Sequence, residues 1–253
     1  MELGLEGHRV LVTAGASGIG LAIARAFAAE GAAVEVCDVD AEALTACGLP
    51  GAAVDVADRA VAQAWVTEAA GRLGGLDTLV NNAGIAGPTA RVEDVDPGDW
   101  ARTLDVCLTA QLHCVQAALP FLRESDNASI VNLSSAAGKF GFAMRTPYAA
   151  AKWGVIGFTK SLAIELGPEG IRANAILPGL VEGERIRRVI EAKAQRQGRS
   201  FAEVEADALA HTSLRSYVTA TQIADQVLLL ASERGRTISG QAISVDADTQ
   251  SLM

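Results

Sequence analysis

Aromatic residues are scarce. Phe, Trp and Tyr make up 4% of the 253 residues, although half of the chain is hydrophobic. Ala, Val, Leu and Gly must therefore fill the core, a mix suited to helices packed closely on a sheet. Histidine and cysteine are few as well. His8, His113 and His211 are scattered, and Cys37, Cys47, Cys107 and Cys114 lack metal-ligand spacing. No metal site is expected, and the cysteines read as reduced, mostly buried thiols. Positive charge is in deficit, with 21 Lys and Arg against 30 Asp and Glu for a net charge of -9. Such a chain gains nothing from a phosphate backbone, which argues against nucleic acid as a partner. No apolar run is long enough to span a membrane. The opening residues Met1 to Arg9 are acidic and hold no apolar signal segment. A cytoplasmic protein without a membrane partner is expected. No repeat, low-complexity tract or linker interrupts the sequence, so residues 1–253 read as one domain.

What is present is an alternation of short apolar runs and helical patterns. Arg9–Thr13 reads as a strand, Ala14–Gly20 as a Gly-rich turn and Leu21–Glu30 as a helix stopped by Gly31. A strand, a Gly-rich turn and a helix N-terminus can present backbone N–H groups to a phosphate, and a dinucleotide pyrophosphate is the natural ligand. An isolated Gly-rich loop is a weak signal by itself. Ala33–Asp38 is the second strand, ending in an acid placed to bind the adenosine ribose hydroxyls and repel a 2′-phosphate. NAD is therefore expected over NADP. Ala52–Val56 is the third strand, with Asp55 and Val56 at its end, and Asp58 caps a helix running to Leu73. Leu76–Val80 is the fourth strand and leads into Asn81-Asn82-Ala83-Gly84. Asp96 opens a long helix to Arg123, with Pro120 expected to end or kink it. Ala128–Leu133, Ile171–Leu177 and Ile238–Val245 complete the strands, and Thr221–Ala231 is the last helix. Strands alternating with helices predict a parallel sheet. Residues 182–211 differ in being charged, helical and poor in glycine, and read as a helical lid over the site.

The chain is organised around Ser135–Lys152. Pro147 begins a helix that carries Tyr148 and Lys152 four residues apart, hence on one face, and that runs to Leu166. Free tyrosine is almost wholly protonated at neutral pH, and a nearby cation favours its phenolate. A tyrosine so placed can exchange a proton with a substrate oxygen. Ser135, after the apolar run 130–133, can hold the same oxygen. Alone, a Tyr-x-x-x-Lys pair is usually surface decoration.

The motifs in their order and spacing resemble the classical short-chain dehydrogenase/reductase superfamily over nearly the whole chain. They are Thr13-Ala-Gly-Ala-Ser-Gly-Ile-Gly20, Asn81–Gly84, Ser135, Tyr148-x-x-x-Lys152 and Pro178-Gly179. The resemblance implies an α/β fold: a Rossmann-type doubly wound seven-stranded parallel sheet, order 3-2-1-4-5-6-7, with flanking helices. It implies an NAD-dependent oxidoreductase interconverting a secondary alcohol and a ketone. Tyr148 would be the acid/base, Lys152 would assist it and bind the nicotinamide ribose, and Ser135 would polarise the substrate oxygen. Gly15, Ser17, Gly18 and Ile19 would frame the pyrophosphate and adjoining ribose, Asp38 the adenosine ribose, and Asp55 and Val56 the adenine. Asn82, Ala83 and Gly84 would pass behind the cofactor, with Pro178, Gly179 and Val181 beside the nicotinamide. Family members are usually homotetramers, sometimes homodimers, and the apolar C-terminal region with Ile243 and Val245 fits an interface.

Three positions depart from the family pattern. Ala14 replaces its first glycine, with Gly15 expected to supply the backbone freedom. Cys107 stands where the family has an asparagine in a proton relay, and a thiol is a poor hydrogen-bonding substitute. Gly183 replaces a threonine that contacts the cofactor. These departures support an alternative, an NAD-binding protein with weak or lost catalysis and a regulatory role. Arg145 in the loop entering the catalytic helix, with the arginines at 185 to 188, suggests an anionic or carboxylated hydroxy substrate. The competing reading is that these arginines are structural.

Overall fold

The structure is a computed structural model that describes residues 2–252, apart from the side chain of Arg185. Seven parallel strands form one sheet: β1 (Arg9–Thr13), β2 (Ala33–Asp38), β3 (Gly51–Ala53), β4 (Thr78–Asn81), β5 (Ser129–Leu133), β6 (Arg172–Pro178) and β7 (Ala242–Val245). Their order is β3-β2-β1-β4-β5-β6-β7, which is the expected Rossmann topology. The order reverses between β1 and β4, and a doubly wound sheet forms its ligand crevice at such a switch point.

Alternation along each strand divides the core between the two faces of the sheet. Val10, Val12, Val36 and Val131 meet α1 (Gly18–Ala29) and α9 (Ala220–Ala231), through Ile23, Ala24, Phe27, Ala224 and Val227. Leu11, Leu79 and Ile130 face α3 (Arg59–Leu73), α5 (Ala110–Leu122) and α6 (Thr146–Leu166). Small side chains on the inner helix faces bring the helices close to the sheet, so this core manages with few aromatics. The remaining helices are α2 (Ala41–Cys47), α4 (Pro97–Leu104), α7 (Glu184–Gln197) and α8 (Phe201–Ala210). The starts of α2, α3 and α4 are capped by the carboxylates of Asp40, Asp58 and Asp96, while Ser200 and Thr219 close capping boxes at α8 and α9. All four cysteines are free and buried.

Several boundaries differ from those read in the sequence. Helix α1 begins at Gly18, inside the Gly-rich turn, and not at Leu21. Strand β3 stops at Ala53, so Asp55 and Val56 lie beyond it. The Asp55 carboxylate accepts the Ala57 N–H at 3.0 Å and turns the chain away. Strand β7 begins four residues late, because Gly240 at φ +70° and the turn bond from Ile238 N–H to Gly235 O interrupt the run. The long helix from Asp96 is broken by a π-helical turn at Asp105–Thr109, and α5 runs past Pro120 to Leu122. Pro120 leaves the Gln116 carbonyl without its helical donor, and the helix continues only to Leu122 beyond it.

Candidate active site

The site is built at the C-terminal ends of β1, β4, β5 and β6. The Gly-rich turn leaves β1 with Ala14 at φ +49° and Gly18 at φ +53°. Left-handed backbone is therefore required at Ala14 itself, which corrects the expectation that Gly15 supplies the freedom. Gly15 has another purpose: a Cβ there would lie 2.6 Å from Val36 Cγ1. Gly20 is equally enclosed, since a Cβ would run into Ala14 O and the Asn82 side chain. Gly18 faces open space, and Ser17, the N-cap of α1, makes no side-chain capping bond. Open first-turn N–H groups beside a glycine with nothing over its Cα suit a pyrophosphate. The residues present thus fit the dinucleotide that the family resemblance implies.

Asp38 ends β2 facing this turn. Its carboxylate is buried and accepts the N–H groups of Ala16 and Asp40, each at 3.2 Å. Asp55 pairs with Arg102 at 2.8 Å. Burial raises its pKa, but the Arg102 guanidinium and the Ala57 N–H outweigh burial and hold it below the ordinary value. Val56 is buried beside it.

A residue not singled out in the sequence fixes the 81–84 turn. Thr13 Oγ1 accepts the N–H groups of Asn82 at 2.9 Å and Ala83 at 3.0 Å. Asn82 Nδ2 returns to the carbonyls of Thr13 and Ala14, at 3.0 and 2.9 Å. A threonine at a strand end reads as an ordinary β-former, so its link to the next strand becomes visible only in the folded chain.

Pro147, in the first turn of α6, starts the helix that carries Tyr148 and Lys152. Lys152 is buried. Its Nζ donates to Leu133 O at 2.8 Å and lies 5.7 Å from the centre of the Tyr148 ring. Gly84 comes close to the same ammonium, as a Cβ there would be 3.4 Å from Nζ. Ser134 Oγ is buried and donates to Lys152 O at 2.7 Å, whereas Ser135 is half-buried and, among the described residues, its Oγ accepts only the Ala137 N–H, at 3.2 Å. Ser135 thus keeps its hydroxyl hydrogen for another acceptor. The second tyrosine, Tyr217, donates to Glu205 at 2.8 Å. Burial and that carboxylate raise its pKa and keep it protonated.

Cys107 lies in the π-helical turn. Its thiol donates to Ile85 O at 3.3 Å and accepts the Ile85 N–H at 3.4 Å, tethering the turn after Gly84. Its own carbonyl accepts from Gln111 Nε2 at 3.2 Å. Pro178 ends β6 and Gly179 follows it. Val181 pairs with Val218, which brings together the two ends of the excursion that carries α7 and α8. Gly183 has φ +149°, a backbone that strains any side chain, so a threonine would not fit here unaltered. Arg145 donates to the carbonyls of Ala86 at 2.9 Å and Gly87 at 3.3 Å and lies over Phe142. Arg187 and Arg188 are exposed on α7, and the side chain of Arg185 lies outside the described residues.

Comparison with known proteins bears on this geometry. Residues 13–247 match the family described as enoyl-(acyl carrier protein) reductase. D-beta-hydroxybutyrate dehydrogenase of Cupriavidus necator is 35% identical over 254 residues, covering 96% of this chain and 97% of its own. The crystal structure of L-sorbose reductase from Gluconobacter frateurii, with NADPH and L-sorbose, has a TM-score of 0.93 at 25% identity and covers 98% of both chains. NAD+-bound xylitol dehydrogenase has a TM-score of 0.89 at 27% identity, covering 96% of this chain and 98% of the other. The chain belongs to the classical short-chain dehydrogenase/reductase superfamily and is an oxidoreductase acting on alcohol or ketone substrates with a nicotinamide cofactor.

Proposed function

We propose that this chain is an NAD(H)-dependent dehydrogenase/reductase interconverting a secondary alcohol and a ketone, with Tyr148 as the general acid/base. The observation that carries this reading is the convergence of Tyr148 and the Ser135 turn around the buried Lys152, whose ammonium faces the Tyr148 ring at 5.7 Å. When bound, the nicotinamide accepts or returns the hydride. The protein handles the proton and the geometry. Ser135 holds the reacting oxygen, Tyr148 takes the hydroxyl proton as the alcohol is oxidised and returns it on reduction, and the Lys152 ammonium is held beside the Tyr148 ring.

Asp38 supports NAD over NADP. Its buried carboxylate stands beside the phosphate-binding turn, where a 2′-phosphate would meet like charge. Titration with NADH and NADPH, followed by nicotinamide fluorescence, should give tight binding of NADH alone, and Asp38→Ser should narrow the gap. Equal affinities in the wild type would sink the NAD assignment. Tyr148→Phe should bind NADH normally but lose activity by at least about 10³-fold, the upper part of the range for an acid/base. Full activity in that variant would defeat the mechanism.

The substrate is proposed to be a hydroxy or keto acid. The Cupriavidus relative is named for such a compound. An anionic group would have to compete with the Ala86 and Gly87 carbonyls for Arg145. The α7–α8 pair, with its own small core of Ile190, Ala194 and Val204, is proposed as the lid.

A further inference from the structure

Ser135 must be held at a fixed distance from the nicotinamide site, and the structure contains a link suited to that task. Ser135 opens a turn of three residues, Ala136–Gly138, which is buried throughout. A Cβ on Gly138 would press on Ser134 Oγ and on Lys152 O, so the turn cannot shift toward α6. Lys139 follows at once. Its N–H donates to Ala136 O at 3.0 Å, so the Lys139 backbone and Ser135 belong to one short rigid unit. Its ammonium crosses to the end of β7, where it donates to Ser244 Oγ at 3.0 Å and lies 2.8 Å from Asp246 Oδ2. That oxygen is buried and receives no hydrogen bond from any other described group. Lys139 is the cation paired with it.

Asp246 is also fixed to the other half of the site. Gly179, after β6, approaches so closely that a Cβ on it would lie 2.7 Å from Asp246 Cα, and Gly179 N–H donates to Val245 O at 3.1 Å. Beyond Asp246 the tail folds back on itself, with Asp248 N–H on Asp246 Oδ1 at 3.1 Å and Thr249 Oγ1 on Asp246 O at 2.8 Å. The same tail holds the segment after α8: Ser213 N–H donates to Asp248 O at 3.0 Å, and Gln250 N–H to His211 O at 2.8 Å. One buried carboxylate thus joins the Ser135 turn, the Gly179 loop and the base of the α7–α8 pair.

We propose that Lys139 and Asp246 are positioning residues for the reaction. They clamp the Ser135 hydroxyl at a set place relative to the Gly179 loop and make that place depend on the seating of the α7–α8 base. The functional part rests on the reading that Ser135 holds the substrate oxygen. Neither residue touches the reacting atoms, so loss of the clamp acts on the chemical step and leaves cofactor binding alone.

The test compares Lys139→Met, Lys139→Arg and the double variant Lys139→Met/Asp246→Asn. The assays are 3-hydroxybutyrate oxidation with NAD, NADH titration, thermal melting and backbone hydrogen exchange. Lys139→Met should lower kcat about tenfold, leave NADH affinity unchanged and speed exchange at residues 136–140 and 211–214. Lys139→Arg should recover most of kcat. The double variant removes the unpaired buried charge, so its Tm should return while its kcat and its exchange in the turn do not. A kcat that recovers together with Tm would mean that the pair only stabilises the fold, and the proposal would fall. Unchanged exchange in Lys139→Met would also overturn it, whatever the kinetics. If the wild type oxidises neither 3-hydroxybutyrate nor other secondary alcohols, the functional reading fails on its own account, and exchange still decides whether the clamp exists.

Discussion

Ala14 shows how a single residue can keep a motif while departing from it. The Gly-rich turn places a left-handed backbone at this position, and alanine adopts it at φ +49°. For an L-residue that costs roughly 1–2 kcal/mol, partly offset in the unfolded chain by alanine's smaller entropy. Ala14→Gly should therefore stabilise the protein by about 0.5–1 kcal/mol, seen as a rise in Tm of a few degrees at most for a chain of this size. A fall in Tm would show that the turn is relaxed as it stands. Cys107 is the converse case, a residue that looks wrong for a water relay yet makes two bonds to Ile85. Cys107→Ala should remove both bonds and loosen the turn after Gly84; with Ile85 36% exposed, water replaces part of their effect, and the loss in a denaturant melt should be about 0.5–1.5 kcal/mol. The candidate site residues could be named from the sequence because each motif lies along one strand, turn or helix. Pairings across the fold were not. Lys139 with Asp246, and Thr13 with the 82–83 turn, join residues whose local sequence gives no sign of a partner.

At the scale of elements, the strand ends opposite the site are fastened by charge. Asp77, just before β4, accepts Arg9 Nε at 2.8 Å and the Ser125 hydroxyl at 2.6 Å. Burial pushes its pKa up, but Arg9, Ser125 and the Arg9 N–H outweigh burial and bring it down to about 2 from 3.8. The folded state thus prefers the carboxylate. The resulting stability is complete above about pH 4 and is lost as pH falls through about 2. The shift amounts to about 2 kcal/mol. His8, at 2.8 Å from Thr78 Oγ1, shifts the other way in charge. Burial lowers its pKa from 6.5, with Arg172 and Arg9 adding to the effect against Asp77. Its neutral form is the stable one, so stability falls as pH drops below 6.5 and imidazole must charge. Chemical denaturation of Asp77→Asn should lose about 2 kcal/mol at pH 7 and show a flatter acid limb; His8→Gln should flatten the range just below pH 6.5. Equal acid limbs in variant and wild type would refute the assignment. Most element boundaries were legible from caps and glycines, as at Asp58, Gly74 and Gly31. The π-turn at 105–109 was not, because apolar periodicity runs through it and one extra residue per turn leaves no mark in composition.

At the scale of the whole molecule, large apolar side chains are exposed at several places among the described residues, Val39, Val92 and Leu214 included, and two places bear on assembly. One is the β7 edge of the sheet, where Ile243 and Val245 are only partly buried. The other is on α6. Trp153 is 52% and Ile164 80% exposed, and they lie eleven residues apart, close to three full turns and so on one face. A homotetramer of dihedral symmetry needs two distinct self-complementary patches, and a homodimer needs one. Contacts at β7 and at α6 would together build the tetramer. Light scattering should give four times the 26.1 kDa chain mass for the wild type. Trp153→Glu/Ile164→Glu should give half that value, with the β7 contact intact. The buried Lys152 lies about 100° round α6 from Trp153, so loss of the α6 contact should also reduce kcat by loosening the helix that presents Tyr148. A monomeric wild type would remove the argument, and a double variant that stays tetrameric would move the second interface away from α6.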